Sequence, residues 1–245
     1  MTTCTLSMHC YEGDKDSLYA NLDKIVKSHK YDFDEILINH QRCEMKGLLP
    51  DKLADKVKRL YIPEMLYPTL LKLFKIPVND ERADELTHGP KSPHYWKNHV
   101  VNHLSGLACA ESEYVVFSDS DCIMVNQPPD ISWVEEGIKI LSSRPEILII
   151  SPSEGSPGLT QIMSQQLFLC NRKRLMDIDW NCWDGKFIDG GPMQEYYPML
   201  EGRIGMYLLQ ENLHRLVLPD SFRYYHDPIH HPPTDEFKEA LKGWK

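Results

Sequence analysis

The segment Tyr114–Met124 constrains the fold more than any other part of the sequence. Four residues that favour buried strands, Tyr-Val-Val-Phe, run directly into Ser-Asp-Ser-Asp, and the apolar residues Cys-Ile-Met follow. Two carboxylates, Asp119 and Asp121, therefore interrupt a run that is otherwise typical of a buried strand. Ligands bind at the carboxyl ends of strands in open α/β sheets, and oxygen ligands there suit Mg²⁺ or Mn²⁺. The alternative is an ordinary polar turn, because Asp and Ser are also common turn residues.

The segments before this motif predict a β-α-β order. Strands are predicted at residues 5–11, 35–39 and 57–61, and apolar residues at helical spacing predict a helix around residues 18–26. Short connections between such elements favour a parallel sheet with right-handed crossovers. The predicted fold class is therefore α/β, with a mixed, mostly parallel central sheet flanked by helices.

The remaining segments extend this pattern to the end of the chain. Helices are predicted at about residues 68–75, 94–111 and 133–143, and from near Met193 past Pro198. Further strands are predicted at residues 146–151, 166–170 and 216–219. The tail that follows is rich in Pro and His and has few apolar residues before Phe237, so it is expected to be loose in the ligand-free protein.

Composition excludes several classes of function. A length of 245 residues fits one large domain, and a net charge of -9 argues against binding to nucleic acid or an anionic membrane. No run reaches the ~18 apolar residues of a transmembrane segment, and the first ten residues do not resemble a signal peptide. The seven cysteines form no C-x-x-C pair, which predicts reduced thiols, no zinc cluster and a cytoplasmic location.

The segment Ser105–Asp121 carries a resemblance to a known family. Its helix end, polar turn, strand and Asp-x-Asp motif resemble, in unbroken order, those of GT-A nucleotide-sugar glycosyltransferases, among which the family 2 type enzymes are nearest. The residues Tyr11-Glu12-Gly13-Asp14 after the first strand add to the resemblance. It implies a Rossmann-like GT-A fold in a single domain of residues 1–245. The nucleotide-binding half would cover about residues 1–125, the acceptor-binding half about 126–228, and a tail 229–245.

The resemblance also implies a set of site residues. Asp121 would be the main ligand of a Mn²⁺ or Mg²⁺ ion, Asp119 would contact the metal or the ribose, and His226 would supply a further ligand. The ion would bridge the two phosphates of the donor and stabilise the charge that develops on the leaving nucleotide. The other predicted nucleotide contacts are Tyr11, Glu12, Asn39, Arg42 and Lys97.

The sequence departs from the family pattern at two places. The second strand ends with Asn-His-Gln-Arg at 39–42, where the family usually has consecutive acidic residues. The acidic pair that usually follows the sugar-binding loop is replaced by Gln194 and Glu195, which makes Glu195 the predicted general base of an inverting enzyme. A carboxylate at a helix start is equally well explained by the helix dipole, and a retaining mechanism stays open.

Three functions are compatible with these observations. The predicted function is transfer of a sugar from a nucleotide diphosphate donor, UDP rather than GDP, to an unidentified sugar, lipid or protein acceptor. A phosphatase of the haloacid dehalogenase type also carries Asp-x-Asp after a buried strand and uses the first Asp as nucleophile. That chemistry needs a later acidic pair for Mg²⁺, and the sequence after residue 121 has none at the required spacing. A non-catalytic protein that binds carbohydrate or nucleotide is the third possibility.

Overall fold

A mixed sheet of eight strands forms the centre of the protein in the computed structural model, which describes residues 2–10, 15–40, 53–79, 95–181, 199–226 and 235–244. The strands of this sheet are β1 Cys4–Cys10, β2 Glu35–His40, β3 Val57–Tyr61, β4 Tyr114–Asp119, β6 Ile147–Ser151, β7 Gly158–Thr160, β8 Leu167–Asn171 and β9 His214–Val217. Their spatial order is β3-β2-β1-β4-β8-β6-β9-β7. Two more strands, β5 Cys122–Asn126 and β10 Arg223–His226, form a separate antiparallel ribbon.

The pairing directions make the sheet mostly parallel. Strand β1 is parallel to β2 and β4, β3 is parallel to β2, and β6 is parallel to β9. Within the described part of this eight-stranded sheet, only β8 and β7 run antiparallel to their neighbours. The predicted mixed, mostly parallel α/β sheet is therefore confirmed.

Helices cover both faces of this sheet. They are α1 Lys15–Ser28, α2 Tyr67–Leu73, α3 Tyr95–Cys109, α4 Trp133–Ser143, α5 Arg172–Met176, α6 Leu200–Gln210 and α7 Asp235–Lys242, with a short 3₁₀ helix at Glu64–Leu66. On one face α3 packs Trp96, Val100 and Leu104 into a core that it shares with α2 and α6. On the other face α1 packs its apolar side into a core that it shares with α4 and the ribbon. None of the described helices combines the length and apolarity needed to cross a lipid bilayer.

Most predicted elements are present, with small shifts at their ends. The helix over residues 133–143 is found as predicted, and Ser132 caps it by accepting a hydrogen bond from the backbone N–H of Val134. The last strand of the sheet lies at residues 214–217 rather than 216–219. The predicted helix near Met193 begins at Leu200 in the described residues, and 182–198 lie outside them.

The described residues at the end of the chain form a helix, whereas the sequence predicts a loose tail. Helix α7 forms at residues 235–242, and its Leu241 is buried against the core on the α1 side. Just after it, the indole Nε1 of Trp244 donates a hydrogen bond to the Met124 carbonyl over 2.8 Å. The prediction of a loose tail rested on the few apolar residues before Phe237, whereas these contacts are made by residues that follow it.

The cysteines in the described residues are all free thiols, as the sequence predicts. Four of them are buried and Cys109 is exposed at the end of α3; the set is Cys4, Cys10, Cys109, Cys122 and Cys170. Burial raises the pKa of Cys122 well above its usual range, so this thiol is protonated at neutral pH.

The face of β1 that contacts α3 carries polar side chains. Asn39 of β2 donates a hydrogen bond from Nδ2 to Ser7 Oγ over 2.9 Å, and both side chains are buried. Gly106 of α3 lies directly over this pair, since a Cβ at that position would overlap Ser7 Oγ. The absence of a side chain at Gly106 therefore lets α3 pack closely against β1 and β2.

Replacing Gly106 by Ala should lower the free energy of unfolding. Overpacking typically costs about 1–3 kcal/mol, and the gain of about 1 kcal/mol in helix propensity offsets only part of this cost. Gly243→Ala is the matched control, because a Cβ there meets only the Ala240 carbonyl at 3.4 Å. Urea denaturation of both variants measures the difference, and equal stability of Gly106→Ala and wild type would contradict the close packing.

Candidate active site

Three polar residues lie side by side where β2, β1 and β4 end. His9 of β1 pairs in register with Asn39 of β2 on one side and with Asp119 of β4 on the other. Parallel strands bring their carboxyl ends to one edge of the sheet, and this edge is where open α/β sheets bind ligands. The first aspartate of the Asp-x-Asp motif thus occupies the edge that the sequence predicts for the site.

A tight turn and a second strand position the other half of the motif. Ser120 and Asp121 form the turn between β4 and β5, and both are buried. Strand β5 pairs with β10, which brings His226 beside the turn. The distance from His226 Nε2 to Asp121 Oδ1 is 3.4 Å, and the His226 side chain is 23% exposed. The predicted pair Asp121 and His226 is therefore brought together by the structure.

His9 contacts the other aspartate as a neutral imidazole. Its Nδ1 lies 3.4 Å from Asp119 Oδ1, and its ring lies 3.7 Å from that of His103, measured between centroids. Burial, and to a smaller extent the neighbouring His99, lowers the pKa of His9 to about 3. Burial also lowers the pKa of His103 well below its usual range. His9 therefore gives Asp119 a polar neighbour without a compensating positive charge.

Glu201 is a functional candidate that the sequence analysis missed. It lies in the first turn of α6, where its Oε1 accepts a hydrogen bond from the Gln165 backbone N–H over 3.2 Å. Burial raises the pKa of Glu201 to about 7, the Gln165 hydrogen bond opposes this shift, and the charge of Asp119 adds to it. A carboxyl group with a pKa near neutrality suits a general base. Its signal in the sequence is a second carboxylate six residues after Glu195.

The other predicted site residues fall into two groups. Asn39 is fully buried and hydrogen-bonded to Ser7, which gives it a role in packing α3 against the sheet. Lys97 lies in the first turn of α3, with its Nζ 5.3 Å from the centroid of the Trp96 ring. Their nucleotide contacts stay predictions. The residues Tyr11, Glu12, Arg42 and Glu195 lie outside the described residues, and their roles also stay predictions.

A group of potential metal ligands lies at the turn. One ligand atom each from Asp121, Cys122 and His226 lies within 4.8 Å of the other two. A carboxylate and an imidazole are ligands that Mn²⁺ accepts in proteins, whereas Mg²⁺ prefers oxygen alone. The donor set therefore fits a divalent transition-metal ion, and Asp119 ends β4 two residues before Asp121 in the chain.

The sequence matches no protein-family model, and no curated protein matches it. The solved structures similar to this chain include S. aureus TarS 1–349, with a TM-score of 0.47, 16% identity, and coverage of 92% of this chain and 60% of that chain. The complex of TarS 1–349 with UDP gives a TM-score of 0.46, 15% identity, and coverage of 91% and 60%.

A third similar structure is *Mycobacterium tuberculosis* glucosyl-3-phosphoglycerate synthase in complex with Mn²⁺, UDP and phosphoglyceric acid. Its TM-score is 0.34 at 16% identity, with coverage of 70% of this chain and 56% of that chain. The chain thus spans less than two thirds of the length of each of these three solved chains.

The raised pKa of Glu201 makes stability depend on pH. In the folded state Glu201 keeps its proton between the ordinary pKa of 4.5 and about 7. The contribution of this proton to the free energy of unfolding is therefore complete below pH 4.5. It is lost as the pH rises through the upper value, because the ionised carboxylate is then buried. Glu201→Gln removes this loss and should stabilise the metal-free protein by roughly 1–3 kcal/mol at alkaline pH, after a discount for partial exposure.

Thermal unfolding in EDTA tests this expectation. The gain in Tm of Glu201→Gln over wild type should be small near about pH 5 and should grow towards about pH 8. Glu211→Gln, at the exposed end of the same helix, is the control for loss of one carboxylate. A gain that does not change with pH would show that Glu201 ionises as easily in the folded state as in the unfolded chain.

Proposed function

We propose that this protein is a metal-dependent GT-A glycosyltransferase that moves a sugar from a nucleotide diphosphate donor, UDP in preference to GDP, to an acceptor hydroxyl. The observation that carries the proposal is the position of Asp119 at the carboxyl end of a parallel strand, with Asp121 two residues later in the chain and 3.4 Å from His226. The resemblance of Ser105–Asp121 to the family 2 type enzymes supports the same assignment. The donor sugar is left open, as is the choice among sugar, lipid and protein acceptors.

Asp121 and His226 would hold the divalent cation, with Asp119 beside it towards β1. When bound, such an ion supplies charge stabilisation to the departing nucleoside diphosphate. The chain itself contributes the positioning, because Asp121 sits in a two-residue turn and His226 is fixed by the β5–β10 pairing. The neutral imidazole of His9 lies beside Asp119 without adding a positive charge to the site.

Two carboxylates are candidates for the general base of an inverting reaction. Glu195 is the prediction from the sequence. Glu201 is supported by its partial burial, by its pKa near neutrality and by the electrostatic influence of Asp119. A base of this kind would take the proton from the attacking hydroxyl as the bond to the sugar forms. We favour Glu201, since its raised pKa suits the role.

Binding of UDP should require a divalent cation and Asp121. Calorimetric titration of wild type with UDP should show much weaker binding in EDTA than in Mn²⁺. Asp121→Asn should weaken binding in Mn²⁺ by at least tenfold, which is a loss of about 1.4 kcal/mol or more. Asp130→Asn, in an exposed loop, is the matched control and should bind as wild type does. Undiminished UDP affinity in EDTA would refute the metal-dependent part of the proposal.

Turnover separates the two candidate bases. With a panel of UDP-sugars and Mn²⁺, loss of the true base should lower kcat by about 10²–10⁴-fold without changing donor affinity. Glu195→Gln and Glu201→Gln, measured in parallel, serve as each other's controls. NMR of the first product gives its anomeric configuration, and retention, with both variants fully active, would overturn the inverting mechanism.

The same samples distinguish the alternative functions. A phosphatase of the haloacid dehalogenase type would hydrolyse a phosphate monoester such as p-nitrophenyl phosphate and would need Asp119 as its nucleophile. A non-catalytic protein would bind the nucleotide sugar without releasing UDP. Either result would replace the proposed transferase activity.

A further inference from the structure

Cys122 lies on the same side of the β5–β10 ribbon as the predicted metal ligand His226. The two residues are directly opposed in the antiparallel register. Opposed residues of an antiparallel pair direct their side chains to one face, with Cβ atoms about 4.5–5.5 Å apart. Asp121 precedes Cys122 in the chain and contacts His226, so carboxylate, thiol and imidazole converge from two strands.

Burial and one hydrogen bond fix the position of the Cys122 thiol. Cys122 is fully buried, and its Sγ donates a hydrogen bond to the Gln166 carbonyl over 3.5 Å. Coordination to a divalent ion deprotonates a thiol outright.

We propose that Cys122 is a sulfur ligand of this site and that the site binds Zn²⁺ or Co²⁺ more tightly than Mg²⁺. The inference rests on the metal-binding part of the proposed function and adds the ligand and the class of metal. One oxygen, one nitrogen and one sulfur ligand form a set that Zn²⁺ and Co²⁺ accept, whereas Mg²⁺ selects oxygen ligands. Three protein ligands also leave a fourth position of a tetrahedral ion open.

Binding of the ion would replace the thiol proton of Cys122. The S–H bond of Cys122 breaks, its proton passes to the solvent, and a bond forms between the sulfur and the ion. The hydrogen bond from Sγ to the Gln166 carbonyl is lost at the same time. The distance of 3.4 Å between Asp121 Oδ1 and His226 Nε2 already fits two ligands of one ion whose bonds are ~2.0–2.2 Å long.

Cobalt spectroscopy tests the sulfur ligand directly. Protein freed of metal with a chelator, which is then removed, is titrated with Co²⁺ under reducing conditions. Wild type should develop a sulfur-to-cobalt charge-transfer band in the near ultraviolet, and added Zn²⁺ should abolish it. Cys122→Ser should lose the band and bind Co²⁺ at least 10-fold more weakly, since loss of even an outer partner costs about 10–100-fold. Its Mg²⁺ affinity should stay within about twofold of wild type.

Two further variants show that the signal comes from Cys122. Cys109→Ser removes the exposed thiol at the end of α3 and should keep the band. His226→Ala should weaken Co²⁺ binding but retain the sulfur band, because it removes a different ligand. If Cys122→Ser does not fold, as judged by its circular dichroism spectrum, ¹¹³Cd NMR of wild type reports sulfur ligation without any substitution.

Three outcomes would overturn the inference that Cys122 is a metal ligand. Co²⁺ bound without a sulfur band, a band that survives in Cys122→Ser, or a wild-type protein that prefers Mg²⁺ would remove Cys122 from the site. Titration of the same wild-type sample with UDP in Mn²⁺ separates this failure from that of the proposed function. Retained Mn²⁺-dependent UDP binding leaves the transferase proposal standing, whereas loss of UDP binding as well points to the metal site itself.

Discussion

The parallel register of β2, β1 and β4 is the constraint on which the rest of the structure depends. It sets Asn39, His9 and Asp119 side by side at the edge where the three strands end. Polar groups buried at this level are costly unless they are hydrogen-bonded or uncharged. Asn39 meets this requirement by bonding to Ser7, and His9 meets it by remaining neutral. Helix α3 can then cover these polar residues because Gly106 leaves room above them.

Negative charge accumulates at this edge. Asp119 and Asp121 are both buried, and the influence of Asp119 reaches Glu201, where it raises the pKa of the carboxyl group. Farther along the sheet Glu154 pairs with Arg215, whose Nη2 lies 2.5 Å from Glu154 Oε1. A divalent cation held by Asp121 and His226, as we propose, would add positive charge at the edge where the acidic side chains collect.

The β5–β10 ribbon connects the end of the chain to the site. It holds His226 opposite Cys122, and α7 packs against the same ribbon from the side of α1. Trp244 adds a hydrogen bond to the Met124 carbonyl, and Lys30 lies 5.9 Å from the centroid of its ring. The position of His226 is therefore determined by contacts that extend to the last turns of the chain.

Local patterns in the sequence determined much of the fold. The period of apolar residues located most strands and helices, and the Asp-x-Asp motif after a buried strand located the edge of the sheet where we propose that ligands bind, because these signals depend on neighbours within a few residues. The two-residue turn at Ser120–Asp121 agrees with the polar turn that the sequence left as an alternative, although the apolar residues after it continue the pattern of the strand before it. Helix α7 was missed, because its apolar contacts begin only with the last residues.

Tertiary structure added side chains that the sequence did not indicate. Cysteine spacing predicted no zinc cluster and singled out no cysteine, and strand pairing places Cys122 opposite His226, about a hundred residues away in the sequence. Glu201 was indistinguishable from other acidic residues until its burial and its proximity to Asp119 raised its pKa. Burial and charge proximity are properties of residues distant in the chain, so no local pattern could report them. The sequence by itself predicted the edge of the sheet and the pair Asp121 and His226, and only the folded chain showed that Cys122 opposes His226 and that burial raises the pKa of Glu201.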